Sequence, residues 1–347
     1  LIMKNLMFIG CILIILFKTG NVLSDSKIFN VNNIEISKEN YKNNENLVNQ
    51  AFKIGFTKLI ERLLLDDDYK RVSNTSLEQI KKLISYYQIT DPDEKNNKKI
   101  KVNLFFEKDN IHNFFYNQNI LYSDIINAEV VLFPLLINKK EYFFYTNNYF
   151  YSNWNFINSN DLIEYNLPLE NIENFQKIEL NKNNIFNLDI ADFFKEYNKN
   201  NIVFAIIEIK NNEAKIFLKT KIFKKKINKT LSINKGQLNE IDFNKKIILE
   251  IKKELRDLIK SQNLIDVRTP SFLNVKIKLN DKNNLIEFKN RIQKIGLIDD
   301  YYVQLLNKDF ILIKIKYLGK INKIIKSLEE QNIELKMNQG QWQLVII

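Results

Sequence analysis

The chain has 347 residues, 45% hydrophobic and 12% aromatic, enough for two or three packed domains and too much for a disordered polymer. A single cysteine, Cys11, and a single histidine, His112, exclude a disulfide framework, a cysteine-held zinc and nearly every histidine-rich metal centre. The charge of +11 names no partner, because Arg, the residue whose planar fork suits phosphates and base edges, is scarce.

The N-terminal stretch reads as a secretory leader. Lys4 supplies a positive start, and Leu6 to Phe17 is apolar apart from Gly10. Those residues rise only about 18 Å as a helix, too short for a hydrocarbon core of about 30 Å. Cleavage is expected after Ser24, so residues 1–24 form a signal peptide; an uncleaved anchor is the rival. Phe8-Ile9-Gly10-Cys11 is a poor lipidation site, since an apolar run follows the cysteine.

In the mature chain, Ile28 to Ile36 reads as a strand and Glu45 to Leu65 as a helix with Val48, Phe52, Phe56, Leu59 and Leu63 on one stripe. Gly55 within that helix allows close packing. Leu77 to Tyr87 is spaced as a second helix and Lys101 to Glu107 as a strand. A short helix over Asn110 to Asn119 carries His112. Val130 to Ile137 is an apolar strand buried on both faces, with Pro134 expected at its end or at an edge. Tyr142 to Tyr151 has aromatics flanking Asn147-Asn148, which predicts a hairpin turning there. Residues 158–187 are polar and read as an irregular connector with a short helix near Leu169 to Phe175.

Ile190 to Tyr197 is expected to be helical. Ile202 to Ile209 and Ala214 to Phe223 follow as strands, and Lys245 to Lys260 as an amphipathic helix. Lys224-Lys225-Lys226 reads as a solvated strand edge. Beyond Pro270 the order β-α-β-β-α-β, from Leu273 to Ile347, is that of a ferredoxin-like split βαβ. The expected fold class is α+β: several small α/β-sandwich modules over 25–157, 188–270 and 271–347, with 158–187 as connector.

Catalytic chemistry finds little support. His112 sits among Ile111, Phe114 and Phe115 with no serine elbow in the chain, so it reads as a satisfied or surface histidine. The seven glycines are scattered singly, which leaves no phosphate-cradling loop. Asp66-Asp67-Asp68 lacks calcium-loop spacing and reads as a solvated loop. No catalytic residue, cofactor or metal is expected. The candidate partner-binding residues are Tyr142, Phe144, Tyr149, Tyr151 and Trp154, whose rings would either fill a core or meet a partner.

Several segments resemble an uncharacterised family of exported Gram-negative bacterial proteins. They are Ala51-Phe52, Phe56 to Leu64, Val102 to Phe106, Ile111 to Phe115, Val130 to Leu136, Tyr149 to Asn155 (YFYSNWN) and Tyr165 to Phe175 (YNLPLENIENF). More loosely, Phe193 to Lys195, Ile202 to Glu208, Ile216 to Phe223 and Ile247 to Ile259 are similar in order to the amino-terminal domain of the periplasmic protein TolB. The resemblance implies export and a periplasmic, partner-binding role without assigned chemistry. The expected partner is an envelope protein or a cell-wall glycan, not nucleic acid, and membrane association is expected only through an uncleaved leader. The alternative is a cell-wall hydrolase with two carboxylates at the floor of an aromatic-lined groove.

Overall fold

The computed structural model describes residues 27–38, 44–90, 99–125, 127–157, 162–188, 197, 201–278, 283–338 and 340–347. The expected leader (1–24) and nearly all of the helix expected at 190–197 lie outside these residues. The fold is mixed α+β. Two compact units account for it: the chain up to Tyr122 together with Leu264–Ile347, and Ser123–Asn263. The expected boundaries at 157/158 and 187/188 therefore fall inside the second unit.

The first unit begins with β1 (Asn30–Ser37), α1 (Asn44–Leu63), α2 (Asp66–Val72) and α3 (Leu77–Leu83). β2 (Ile84–Thr90), β3 (Lys99–Phe106) and α4 (Lys108–Gln118) complete this part, with an antiparallel sheet ordered β1-β3-β2. Leu47, Ala51, Phe56, Leu59 and Leu63 recur every three or four residues along α1 and are buried. Gly55 lets that face descend onto the sheet: a Cβ there would stand 2.2 Å from Leu104 Cδ1 and 2.9 Å from Ile34 Cδ1.

Two local expectations are corrected here. The helix expected through Tyr87 ends at Leu83, and Ile84 to Thr90 form a strand on β3 instead, with a register shift at Ser85. Aromatic and β-branched side chains favour that strand: Tyr86 stacks on Phe105 at 4.2 Å and Tyr87 meets Phe52 edge-on at 5.3 Å. Asp66, Asp67 and Asp68 do not form a loop but open α2, where carboxylates complement the helix dipole. Asp66 and Asp68 also pair with Lys70 (2.5 Å) and Arg71 (2.7 Å).

The chain leaves this unit through β4 (Tyr122–Ser123). The second unit is built on a sheet of β5 (Ala128–Asn138), β6 (Glu141–Phe143), β7 (Ile163–Asn166), β8 (Asn201–Lys210), β9 (Glu213–Ile222) and β10 (Lys225–Asn234). Its order is β10-β9-β8-β5, and both β6 and β7 pair with β5 along its far edge. The helices are α5 (Tyr149–Asn153), α6 (Ile172–Leu180) and α7 (Glu240–Ser261). β5 and β8 run parallel, Val131 opposite Ile202, and side chains from both strands enter a core on each face. On one face α7 contributes Ile247, Ile251, Leu255 and Ile259; each such burial stabilises by roughly 1.5–3 kcal/mol. The other face is covered by Ile178 of α6 and by Ile185 and Tyr145.

Pro134 stands inside β5, not at its end, and a gap in the far edge explains this. β7 pairs as far as Val131 and β6 begins at Leu136, so neither strand pairs with Pro134. A residue's N–H and C=O address the same edge, so the missing N–H costs no ladder bond, and the carbonyl is capped by Asn148 Nδ2 at 2.9 Å. The hairpin expected at Asn147-Asn148 lies earlier. Lys139 and Lys140, at φ 49° and 69°, turn β5 into β6, while Asn148 at φ −105° serves as the N-cap of α5. The stretch 158–187, expected to be an irregular connector with a short helix near Leu169 to Phe175, has its helix at α6 and adds β7, because Ile163 to Asn166 finds a parallel partner in β5. Strand β10 was not anticipated; its exposed, lysine-bearing edge carries no alternation to read.

The chain re-enters the first unit through β11 (Leu264–Ile265). There follow β12 (Ser271–Lys278), α8 (Asn283–Ile292), β13 (Ile298–Leu306), β14 (Phe310–Tyr317), α9 (Ile321–Glu330), β15 (Ile333–Asn338) and β16 (Gln341–Ile346). The sheet order is β13-β14-β12-β16-β15. Helices interleave with strands as in a split βαβ, with one strand more than βαββαβ. β15 turns back into β16, so the strand beside β12 runs parallel to it. Phe288, Ile292, Ile324 and Leu328 place both helices on one face of this sheet.

Candidate functional site

The aromatic stretch and the YNLPLENIENF segment, far apart in sequence, lie side by side in the second unit. β7 holds them together by pairing with β5, and a set of hydroxyl bonds pins the junction. Tyr151 donates to the Pro168 carbonyl at 2.7 Å, Tyr145 to the Asn171 carbonyl at 3.4 Å, and Thr146 Oγ1 to Glu170 Oε1 at 2.9 Å. Phe144 meets Phe175 edge-on at 4.9 Å. Tyr145 adopts φ 53°, a left-handed conformation unusual for a bulky side chain, and is held there by ring contacts to Phe133 and Tyr151 at 5.4 and 5.6 Å. Burial pushes the Tyr145 and Tyr151 hydroxyls above the ordinary tyrosine range, and the nearby Glu170 carboxylate adds to it.

The five candidate residues divide between the two faces of the sheet. Tyr142, Phe144 and Tyr151 pack half-buried on the α6 side, with the Tyr142 hydroxyl bonded to the Lys182 carbonyl at 2.9 Å. Tyr149 and Trp154 lie on the α7 side, and Trp154 has no exposed surface. Lys252 of α7 closes over that ring: its ammonium donates to the Ile157 carbonyl at 2.9 Å and sits 5.0 Å from the Tyr165 ring and 5.9 Å from Trp154. Trp154 is thus core, and the rings of its neighbours interlock edge-to-face instead of lining a groove.

What projects beyond these rings is apolar. Leu169, just before α6, is 79% exposed, and on α6 Ile172 is 76% and Phe175 47% exposed, whereas Asn174 and Ile178 are buried. Composition alone does not reveal this ridge, because Leu169, Ile172 and Phe175 also fit an inward helical stripe.

A concavity of about 240 Å³ lies in the first unit between α4 and the α8–β13 corner, lined by Glu107, Lys108, Asp109, Gln293, Asp299 and Asp300 among others. Three of its charged groups, Lys108, Asp299 and Asp300, are engaged within the protein. Lys108 donates to the Ile298 carbonyl at 2.9 Å and Lys316 pairs with Asp299 at 2.6 Å. His112 on α4 is buried against Phe29, with Nε2 3.1 Å from the Tyr122 hydroxyl. Burial, with the Lys108 ammonium second, holds its pKa down at about 4, so it is neutral at pH 7. Among the described residues no group of three metal-ligating side chains converges, and no helix is long and apolar enough to cross a membrane.

No protein-family model matches the sequence, no curated protein matches it, and no solved structure matches the fold.

Proposed function

We propose that this chain is a non-enzymatic, partner-binding protein of the cell envelope, and that it docks an envelope protein on the ridge Leu169, Ile172 and Phe175, with Tyr142, Phe144 and Tyr151 as its aromatic base. The observation that carries the reading is that ridge: three large apolar side chains stand out from a scaffold whose tyrosines are tied to backbone carbonyls. Exposed apolar clusters on rigid supports are what protein partners desolvate. A glycan would need a flat ring face to stack on, whereas the outermost residues here are Leu169 and Ile172. Envelope residence is supported by the apolar leader with Lys4 before it and by the resemblance to exported proteins.

The test places a photo-crosslinking residue at Leu169 in the full chain, expressed in its native cells, and identifies the adduct by mass spectrometry together with the mature N-terminus. A single envelope protein is expected, bound at least tenfold more weakly by the Ile172→Glu, Phe175→Glu variant. An N-terminus that retains the leader on a cytoplasmic protein, or an adduct indifferent to that variant, overturns the reading.

A further inference from the structure

The C-terminal sheet has a second face, turned away from α8 and α9. Along β12 the helix side takes Leu273, Val275 and Ile277, which leaves Phe272, Asn274, Lys276 and Lys278 on the open side; along β14 the open side holds Phe310, Leu312, Lys314 and Lys316. The antiparallel register sets Lys316 opposite Phe272, Lys314 opposite Asn274, and Phe310 opposite Lys278. Lys276 lies opposite Leu312, so Lys276 and Lys314 are diagonal neighbours at roughly 7–8 Å between Cα atoms.

The charges on this face are unevenly matched. The carboxylates lie at its rims and have cationic or hydroxyl partners: Asp299 binds Lys316 at 2.6 Å, Asp300 bonds the Tyr302 hydroxyl, and Glu334 binds Lys336 at 2.7 Å. Among the described residues Lys276 and Lys314, in the middle, and Lys278, at the end of β12, meet no carboxylate. Two of them fold over the rings instead, Lys276 3.9 Å from the centre of Phe310 and Lys314 4.3 Å from that of Phe272. Phe272 stays 50% exposed despite this contact. Like charges at neighbouring sheet positions repel, and this arrangement leaves the repulsion for an anionic surface to relieve.

We propose that this open face docks onto a bilayer of anionic lipid, the lysines meeting headgroup phosphates and the two phenylalanines settling at the headgroup boundary. Lysine with aromatic rings at one level is the chemistry of an interfacial contact. A single-stranded nucleic acid, the other polyanion that uses open sheets, stacks its bases on ring faces, and here the ammonium groups stand over those faces. The contact is distinct from insertion of the leader, which buries an apolar run instead of a sheet face.

The experiment sediments the full chain with vesicles of phosphatidylcholine alone or mixed with phosphatidylglycerol, at low and high salt. The leader, with Lys4, is present throughout, so the comparison of the parent with the lysine variant on the same anionic vesicles isolates the lysine face. Tighter binding to the phosphatidylglycerol vesicles is expected, weakened by salt. It should fall about fivefold for each lysine removed, so about a hundredfold in the triple variant Lys276→Gln, Lys278→Gln, Lys314→Gln. The partly exposed sites allow the variant to fold, which an unchanged thermal midpoint checks; should it not fold, Lys278→Gln alone, at the exposed strand end, carries the test. Equal binding to both vesicle types overturns the proposal, as does a folded variant that binds like the parent. Binding of a thymidine oligonucleotide without vesicle binding overturns it in favour of a nucleic-acid platform.

Discussion

Lowering the pH from 7 to 5 acts on the chain's sole histidine, and the structure sets how much stability that costs. His112 titrates at about 4 when folded against an ordinary value of 6.5, because its ring is buried beside Phe29 and Tyr122 with Lys108 and Lys316 nearby and only Asp299 opposing. A folded pKa below the unfolded one means that the unfolded chain takes up the proton first. The stabilisation is therefore complete above pH 6.5 and is lost progressively as the pH falls toward 4. Integrating those two values gives a loss of about 2 kcal/mol between pH 7 and 5, and about 3 kcal/mol in all below pH 4. Urea denaturation at stepped pH measures it, and His112→Gln, whose amide can still meet the Tyr122 hydroxyl, should flatten the dependence between pH 5 and 7. Because no other histidine exists, the ring proton gives one NMR signal that reports the folded pKa directly. A signal titrating near 6.5, or a variant with the parent's pH slope, would refute the reasoning.

Two further substitutions test the packing. Gly55→Ala should destabilise by about 1–3 kcal/mol despite alanine's better helix propensity, since its Cβ would overlap Leu104 Cδ1; in a Leu104→Ala background the same change should become neutral or favourable, as read by thermal melts. Asn148→Ala removes both the bond to the Pro134 carbonyl and the cap on Phe150 N–H, at 2.9 Å each, and should cost about 2–4 kcal/mol. Asn148→Asp keeps the cap but loses the donor, so chemical denaturation should show it no more stable than the parent; equal stability in all three proteins would dismiss the clamp.

How much of this is legible in the sequence depends on where each signal resides. Buried periodicity is local, which is why α1, β5, β8 and β14 stand close to their expected places. Ile80, Leu83, Ile84 and Tyr87 satisfy helical spacing as well as any true helix; only the cross-strand partners Phe105 and Leu104 decide for β2. Edge strands β10 and β15 bury little, so they leave almost no hydrophobic pattern to find. The candidate site was half visible. Both of its segments were marked by resemblance, but their juxtaposition depends on the parallel pairing of β7 with β5, and the burial of Trp154 depends on Lys252, almost a hundred residues later.

The first unit is discontinuous in sequence, and this orders its assembly in time. Its early half contributes Phe29 through Tyr122 to a core that also takes Ile265 and Leu318, residues that follow the whole of Ser123–Asn263. At ordinary synthesis rates the wait is on the order of ten seconds. Over that interval the second unit, whose strands and long α7 come from one uninterrupted stretch, can close by itself, while the unit that started first still lacks Ile265 and Leu318. A chain stopped after Asn263 would thus keep its middle and leave its oldest core short of Ile265 and Leu318, so the nascent first half is the segment that waits longest to finish its packing.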